Sequence, residues 1–275
     1  MIIIIVLVFV LILMPFALKA AHMYIYGRWT PQYVKVSRRV ILPRIGTWGR
    51  QWWANRFHSK VLTPEQAKSL ITIDCKIRRD LEQILPYPMA RKLVLDGPPD
   101  VTLYECACRL SREDHCHPTQ VCMAIGQPFA DFVLKHHPDR SRRVSQEEAL
   151  EILQAAHARG NVHAAWFKDL FQGRMYALCN CCKCCCFGIE TMTTYGTPMV
   201  ASSGYVAQVD EAACGACVTC EDICPFGSMT VNGSAVVDWA ACMGCGVCVD
   251  HCPDDALSLV RDEKKGDPLD VTRLV

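Results

Sequence analysis

A cysteine motif that occurs twice near the end of the chain places the tightest constraint on its fold. The spacing is C-x2-C-x2-C-x3-C-P, and the second copy begins 28 residues after the first. The first copy consists of Cys214, Cys217, Cys220 and Cys224. The second copy consists of Cys242, Cys245, Cys248 and Cys252. Thiols this close together, in two copies with the same spacing, indicate that they bind a metal or a metal cluster. The double motif disfavours a zinc ribbon.

The spacing predicts which thiols share a cluster. Three thiolates, each separated from the next by two residues, wrap one face of a cluster, and the fourth cysteine of each copy ligates the other cluster. One 4Fe–4S cluster is therefore expected on Cys214, Cys217, Cys220 and Cys252. A second 4Fe–4S cluster is expected on Cys242, Cys245, Cys248 and Cys224.

Residues 212–259, which contain both copies, resemble a bacterial two-cluster ferredoxin domain. The resemblance implies a pseudo-twofold βαββαβ fold and one-electron transfer at low potential. A wider resemblance, from Cys106 to Leu259, is to poorly described iron–sulfur proteins that join a CxCR segment, a CNCCxCCC run and a ferredoxin tail. That resemblance implies further clusters and brings no reaction with it.

A second concentration of thiols precedes the motif. The run LCNCCKCCC at residues 178–186 contains six cysteines, and the chain has 19 in all. A disulfide scaffold is disfavoured because such proteins are short and lack a large apolar core. We predict one or two additional iron–sulfur clusters from this run and the cysteines upstream of it. The candidate ligands are Cys179, Cys182, Cys185, Cys106, Cys108, Cys116 and Cys122, with Cys181, Cys184 and Cys186 as possible extra ligands.

Several arrangements of these ten thiols stay open. They suit two further four-iron clusters, one such cluster with a larger or non-cubane cluster, or one cluster with a zinc ion. His115 and His117 flank Cys116 and are weaker candidates, and the isolated Cys75 is expected in an apolar core. Lys183 and Arg109 would place positive charge beside anionic clusters.

The N-terminus predicts a membrane anchor. Residues 1–18 contain no charged residue, and about 20 apolar residues span a bilayer. Nine basic residues and no acidic ones lie within residues 1–64, so the positive-inside rule predicts a single-pass protein of the inner membrane with its N-terminus outside and its body in the cytoplasm. A cleaved signal peptide is the alternative, but no basic residue precedes the apolar run.

The expected fold class is α+β. We predict a transmembrane helix at residues 1–26, a basic Trp-rich juxtamembrane segment at 27–62, a helix-rich cysteine-containing domain at 63–200, a two-cluster ferredoxin domain at 201–266 and a tail at 267–275. Helix starts are expected at Thr63-Pro64 and at the capping box that begins with Ser145. Pro118–Val121 is also expected to open a helix, whereas the segment after Gly160 is ambiguous between strand and helix.

The leading functional hypothesis is a membrane-anchored electron carrier with several clusters. Residues 201–275 hold 12 acidic and 4 basic residues, which favours redox partners with a basic docking face, and a membrane oxidoreductase subunit is a further possible partner. No nucleic-acid partner is expected. The alternatives are a reductase whose unusual cluster lies within residues 106–186, and a cluster scaffold or redox sensor. The chain lacks Rossmann and P-loop glycine patterns, so its status as an enzyme stays open.

Overall fold

A seven-stranded sheet forms the centre of the protein in a computed structural model that describes residues 24–72, 100–168 and 175–269. Its strand order is β4-β2-β3-β6-β5-β1-β7. The strands are β1 (Phe57–Leu62), β2 (Val101–Glu105), β3 (Gln120–Ile125), β4 (Ser141–Val144), β5 (Val162–Lys168), β6 (Met175–Cys181) and β7 (Val200–Ala201). All neighbours are antiparallel except β1 and β7, which are parallel.

Helices cover both faces and the edges of this sheet. Before β1 lie α1 (Thr30–Val36), a π-helical turn (Ser37–Ile41), α2 (Leu42–Arg44) and α3 (Thr47–Ala54). Between strands lie α4 (Pro64–Thr72), α5 (Ala107–Leu110), α6 (Phe129–His136), a 3-10 turn (Pro138–Arg140), α7 (Gln146–His157) and α8 (Phe187–Tyr195). The Ser145 hydroxyl accepts a hydrogen bond from the Glu148 amide at 3.1 Å, so the predicted cap of α7 is confirmed.

Strand β5 shows why the two faces of the sheet belong to different cores. All seven of its residues are buried, and successive side chains point to opposite faces. Ala165 and Phe167 pack in a core with residues of α4 and α7. Ala164 and Trp166 pack on the other face, in the core that also contains residues of α8 and of the segment 206–257. Cys181 and Cys186 are also buried in this second core.

The C-terminal unit, residues 205–265, repeats a strand–helix–strand pattern. Its elements in order are β8 (Tyr205–Val209), α9 (Thr219–Ile223), β9 (Met229–Asn232), β10 (Ser234–Val237), α10 (Val247–Asp250), β11 (Leu257–Arg261) and a 3-10 turn (Glu263–Lys265). β8 pairs with β11 and β9 pairs with β10, both antiparallel. This is the βαββαβ order that the ferredoxin resemblance implied.

The C-terminal unit packs closely on the sheet. At Gly160, where φ is +71°, an added Cβ would lie 2.8 Å from Ile223 Cγ1 of α9. His157 Nε2 lies 2.6 Å from the Asp250 carboxylate, and His251 Nε2 lies 3.2 Å from the Ala158 carbonyl oxygen. These three contacts, with the shared core, hold the unit against the end of α7 and the start of β5.

The prediction of a helix-rich middle domain is wrong. Strands β2 to β7 alternate with helices in residues 63–200 and form most of the central sheet, and the segment from Pro118, expected to open a helix, leads into β3. The reason is that fully buried strands lose the alternation of polar and apolar residues that identifies strands at a surface. Gln120–Ile125 has five buried residues in succession, and such a run reads equally well as helix or strand.

The predicted membrane anchor and location also require correction. Among residues 24–72, 100–168 and 175–269, no helix has both the length and the apolar character needed to cross a membrane. Residues 1–23, on which most of that prediction fell, lie outside the described residues, as does Cys75. On this finding we do not retain the transmembrane element of the fold class or the single-pass inner-membrane location. The following segment packs instead against α8, where the centroids of the Trp53 and Phe187 rings lie 6.4 Å apart.

Candidate iron–sulfur centres

The structure gathers the first predicted ligand set around one small cavity in the C-terminal unit. Its walls include Cys214, Cys217, Cys220 and Cys252. Backbone amides reach two of the sulfurs: Ala235 N lies 3.4 Å from Cys214 Sγ, and Ala256 N lies 3.3 Å from Cys252 Sγ. Such N–H···S contacts stabilise negative charge on thiolates and cluster sulfides.

The second predicted set also converges. The thiols of Cys242 and Cys224 lie near enough to those of Cys245 and Cys248 to raise the pKa values of both. The largest effect on Cys245 is burial, and its pKa is raised to about 12. Ser228 N donates to Cys224 Sγ at 3.3 Å, and Ala207 N donates to Cys242 Sγ at 3.5 Å. Each predicted set therefore has its thiols together and receives amide donors.

The ligand loops have the same unusual backbone in both copies of the motif. Ala216 and Val218 have positive φ angles of 52° and 68°, and Gly244 and Gly246, 28 positions later, have 62° and 82°. Left-handed residues at alternate positions turn successive amides inward, which makes an anion-binding concavity. In the first copy two side chains accept the strain that glycine avoids in the second.

A separate group of four thiols lies outside the C-terminal unit. The Sγ atoms of Cys116, Cys182, Cys184 and Cys185 all lie within 4.8 Å of one another. Cys116 Sγ is 3.3 Å from Cys182 Sγ and 3.8 Å from Cys185 Sγ. Four thiols at this separation match the number that one four-iron cluster or one zinc ion binds. We call these residues the four-thiol group.

Six further thiols form a closed ring of neighbours, in which each thiol lies near enough to the next to shift its pKa. In order around the ring they are Cys106, Cys108, Cys186, Cys181, Cys179 and Cys122, and Cys122 contacts Cys106 again. All six also line one cavity of about 890 Å³. We call these residues the six-thiol ring.

Strand geometry explains how the six-thiol ring forms. In β6, Cys179 and Cys181 are two residues apart and so point to the same face of the sheet. Met123 of β3 pairs with Leu178 of β6, and the next position in that register sets Cys122 opposite Cys179. Cys106 and Cys108 follow the end of β2, and Cys186 precedes α8 on the same face.

Cys106 of the six-thiol ring and Cys182 of the four-thiol group resist ionisation in the absence of a cation. Contact with Cys108, together with burial, raises the pKa of Cys106 to about 12, and burial raises the pKa of Cys182 to about 11. A thiolate is the form that binds metal, and ligation releases the proton. Crowded, buried thiols of this kind suit the binding of a cationic centre, because its positive charge would compensate the negative charge of the thiolates. Every described cysteine is free of disulfide bonds and so can act as a ligand.

Arg109 supplies positive charge between the four-thiol group and the six-thiol ring. Its side chain is 1% exposed, and its charge acts on Cys182 and Cys116 of the group and on Cys106 and Cys122 of the ring. Nη1 donates to the Pro118 carbonyl oxygen, and Nε has no hydrogen-bond partner among the described residues. A buried cation with an unpartnered donor is costly unless anionic charge lies nearby.

Arg38 fixes the backbone of the cysteine run from outside. Its guanidinium donates to the Cys185 carbonyl oxygen at 2.8 Å, to the Glu190 carboxylate at 2.5 Å and to the Ser111 hydroxyl. The side chain is only 11% exposed, so this bridge between the π-helical turn, α5 and α8 is largely shielded from water. The basic segment thus supports the four-thiol group.

The upstream ligands group together in space differently from the grouping that their spacing in the sequence predicted. Cys182 and Cys185 join the four-thiol group, while Cys179, in the same C-x2-C-x2-C series, belongs to the six-thiol ring. Each possible extra ligand also has a place, Cys184 in the group and Cys181 and Cys186 in the ring. His115 Nδ1 lies 3.2 Å from the Arg112 carbonyl oxygen, and its ring is tilted by 46° to that of His117, outside the four-thiol group.

One hydrogen bond joins the cysteine run to the C-terminal unit. Lys183 Nζ donates to the carbonyl oxygen of Asp222 at 3.1 Å. Lys183 lies between two members of the four-thiol group, and Asp222 lies in α9 between Cys220 and Cys224. Sequence reasoning identified Lys183 by its position in the run but not this partner.

Comparison with known proteins agrees with the chemistry of the C-terminal unit. Residues 235–258 match the Fer4 family, the 4Fe–4S binding domain. The match spans the second copy of the cysteine motif, from Cys242 to Cys252. No curated protein matches the chain. The chain therefore contains a ferredoxin-type 4Fe–4S domain and, upstream of it, a cysteine-rich site suited to binding metal.

Proposed function

We propose that this chain is an electron-transfer protein that carries several iron–sulfur clusters. The eight motif cysteines would hold two 4Fe–4S clusters, and the four-thiol group would hold a further one. When bound, such clusters supply one-electron transfer. The protein's own residues hold the clusters, exclude water, compensate charge and present a docking surface.

The hydrogen bond from Lys183 to Asp222 is the observation that carries this proposal. It fixes the four-thiol group against the helix that separates two ligands of the C-terminal unit. Cys181 and Cys186 also lie in the same continuous core as Cys220, Cys224 and Cys248. Electron transfer falls off steeply with distance, so a fixed, closely packed arrangement of thiol groups favours exchange between them.

The outer edge of the C-terminal unit suits a transient encounter with a basic partner. Cys217 is exposed, and the exposed acids Asp210, Glu211, Asp254 and Asp255 lie close to it in the sequence or beside Cys252. Complementary charge speeds association and steers orientation, and its effect weakens with salt. We therefore propose a redox partner with a basic docking face.

The test measures reduction of the upstream centres in full-length protein purified without oxygen. Reduced methyl viologen, a cationic donor, is mixed with wild type and with Cys214→Ser/Cys217→Ser, and freeze-quench spin resonance follows the upstream signal. We expect wild type to contain at least about eight irons, since each cubane carries four. We expect upstream reduction to slow at least tenfold in the double variant.

A lysine pair provides a matched control for the link between the two parts. Lys183→Met removes the bond to Asp222, and Lys265→Met removes a similar 3.1 Å bond to the Ala240 carbonyl oxygen within the C-terminal unit. Only Lys183→Met should slow upstream reduction. Equal rates in wild type and the double cysteine variant, or fewer than eight irons per chain, would contradict the proposal.

A second candidate function is a reductase, and the cavity beside the six-thiol ring favours it. Its volume of about 890 Å³ lies within the range of about 300–1,000 Å³ typical of small-molecule sites. Aromatic side chains line it, and the Tyr26 and Tyr176 hydroxyls lie 3.0 Å apart. A substrate-dependent change in the upstream spectrum, absent from the motif clusters, would support this function over simple electron transfer.

A further inference from the structure

The six-thiol ring contains more cysteines than a cubane cluster has positions for. A 4Fe–4S cluster presents four irons, each of which takes one protein thiolate. The four-thiol group already accounts for one such set. The six remaining upstream cysteines therefore require either two spare thiols or a larger centre.

The contact pattern gives no sign of spare thiols. Each member of the ring has two sulfur neighbours within the ring, and no member is isolated from the rest. Cys106, Cys122, Cys181 and Cys186 are 8%, 4%, 9% and 3% exposed, so these thiols are turned into the protein. A division into four ligands and two bystanders would break the ring at arbitrary points.

The ring is built from two halves of equal size. One half, from β2, α5 and β3, is Cys122, Cys106 and Cys108, which are consecutive around the ring. The other half, from β6 and the start of α8, is Cys179, Cys181 and Cys186, also consecutive. Three thiols on each side match two four-iron units that are joined to each other. Each unit has four terminal ligand positions, and at least one of them is taken by the bridge between the units, which leaves three for thiolates.

We propose that the six-thiol ring binds a single iron–sulfur cluster of about eight irons, larger than a cubane. All six thiols line the cavity of about 890 Å³, whose volume is large enough for a centre of this size. Arg109 contributes positive charge to Cys106 and Cys122, and soft thiolate ligands select iron–sulfur clusters over hard cations. Each thiol releases its proton on ligation.

The proposal rests on the proposed presence of clusters but not on electron transfer between them, so the two can fail separately. Full-length protein is purified without oxygen. Its iron, zinc and acid-labile sulfide are counted by chemical analysis, and Mössbauer spectra of its iron are recorded. With eight irons on the motif cysteines, four on the four-thiol group and eight on the ring, we expect about twenty irons per chain.

Three single variants locate the irons. Cys106→Ser and Cys186→Ser take one thiol from each half of the ring, and Cys184→Ser is the control from the four-thiol group. Each ring variant should lose about eight irons and the same Mössbauer component, since both halves hold one cluster. Cys184→Ser should keep that component, and a retained ferredoxin-type spin-resonance signal shows that a variant has folded.

Three results would overturn the proposal. The first is about sixteen irons in wild type, which is the count for four separate cubanes. The second is two zinc ions per chain without additional iron. The third is a loss of different Mössbauer components in Cys106→Ser and Cys186→Ser. If the ring variants do not fold, the wild-type count and spectrum alone decide between one large cluster and a cubane with spare thiols.

Discussion

Replacement of Arg109 should lower the reduction potential of the upstream centres. The guanidinium is 1% exposed and its charge acts on thiols of both the four-thiol group and the six-thiol ring. A reduced cluster carries one more negative charge than the oxidised one, so a nearby cation stabilises the reduced form. In Arg109→Leu that stabilisation is lost, whereas Arg109→Lys keeps the charge.

The expected size follows from the burial of this side chain. At an effective dielectric constant of about 20, unit charges about 6 Å apart interact by about 3 kcal/mol. Since 59 mV corresponds to a tenfold change for one electron, or about 1.4 kcal/mol, the potential should fall by about 120 mV. Salt should change the shift little because buried charges are weakly screened.

The assay is an anaerobic redox titration followed by spin resonance. Iron content is compared first, so that only fully loaded variants are titrated. Arg143→Leu is the control, because Arg143 is half-exposed and pairs with Asp100 and Asp131 away from the thiols. A shift below about 20 mV in loaded Arg109→Leu, where about 120 mV is expected, would refute the electrostatic role of Arg109.

Three further predictions concern stability. Gly244→Ala should destabilise the protein by more than about 2 kcal/mol and lower its iron content, since φ is +62° and the new Cβ would collide with the Tyr205 carbonyl oxygen; Ala216→Gly at the matching position should keep its iron. Burial lowers the pKa of Lys168 to about 7 in the folded protein, whereas the pKa in the unfolded chain is about 10.4. Between these two pH values the unfolded chain binds more protons than the folded one, so the stability of the wild type rises with pH from about 7 to about 10.4. Urea titrations should therefore find Lys168→Met more stable than wild type at pH 6.5, with the difference shrinking by pH 10, and a constant difference would contradict this. Ser145→Ala should cost about 1 kcal/mol in the same assay, whereas Ser145→Asp, which keeps the cap of α7, should cost little.

The parts of the fold that the sequence predicted depend on local geometry. The motif spacing sets a loop, a short helix and a returning strand within a few residues, so the βαββαβ order and the meeting of Cys252 with Cys214 could be read directly. The cap at Ser145 is equally local. Such features need no knowledge of distant partners.

The remaining features depend on pairing between distant segments. Cys179 and Cys182 share a motif-like spacing, yet β6 ends at Cys181, and the chain turns before the next thiols. Only the strand period places Cys179 and Cys181 on one face, and only the register of β3 and β6 brings Cys122 to them. The buried strands hid that period, so the division into four and six thiols could not be inferred from spacing.

The origin of each set of ligands also bears on how the protein is assembled in the cell. The motif cysteines lie within residues 214–252, whereas the six-thiol ring draws its members from residues 106–186 and needs β2, β3 and β6 side by side. Contacts that are distant in sequence form late, because the chain must first close long loops. The upstream centre would then be filled only after the sheet has formed, and a delivery factor would have to act on a nearly finished fold. The C-terminal clusters could instead be inserted while the rest of the chain is still folding.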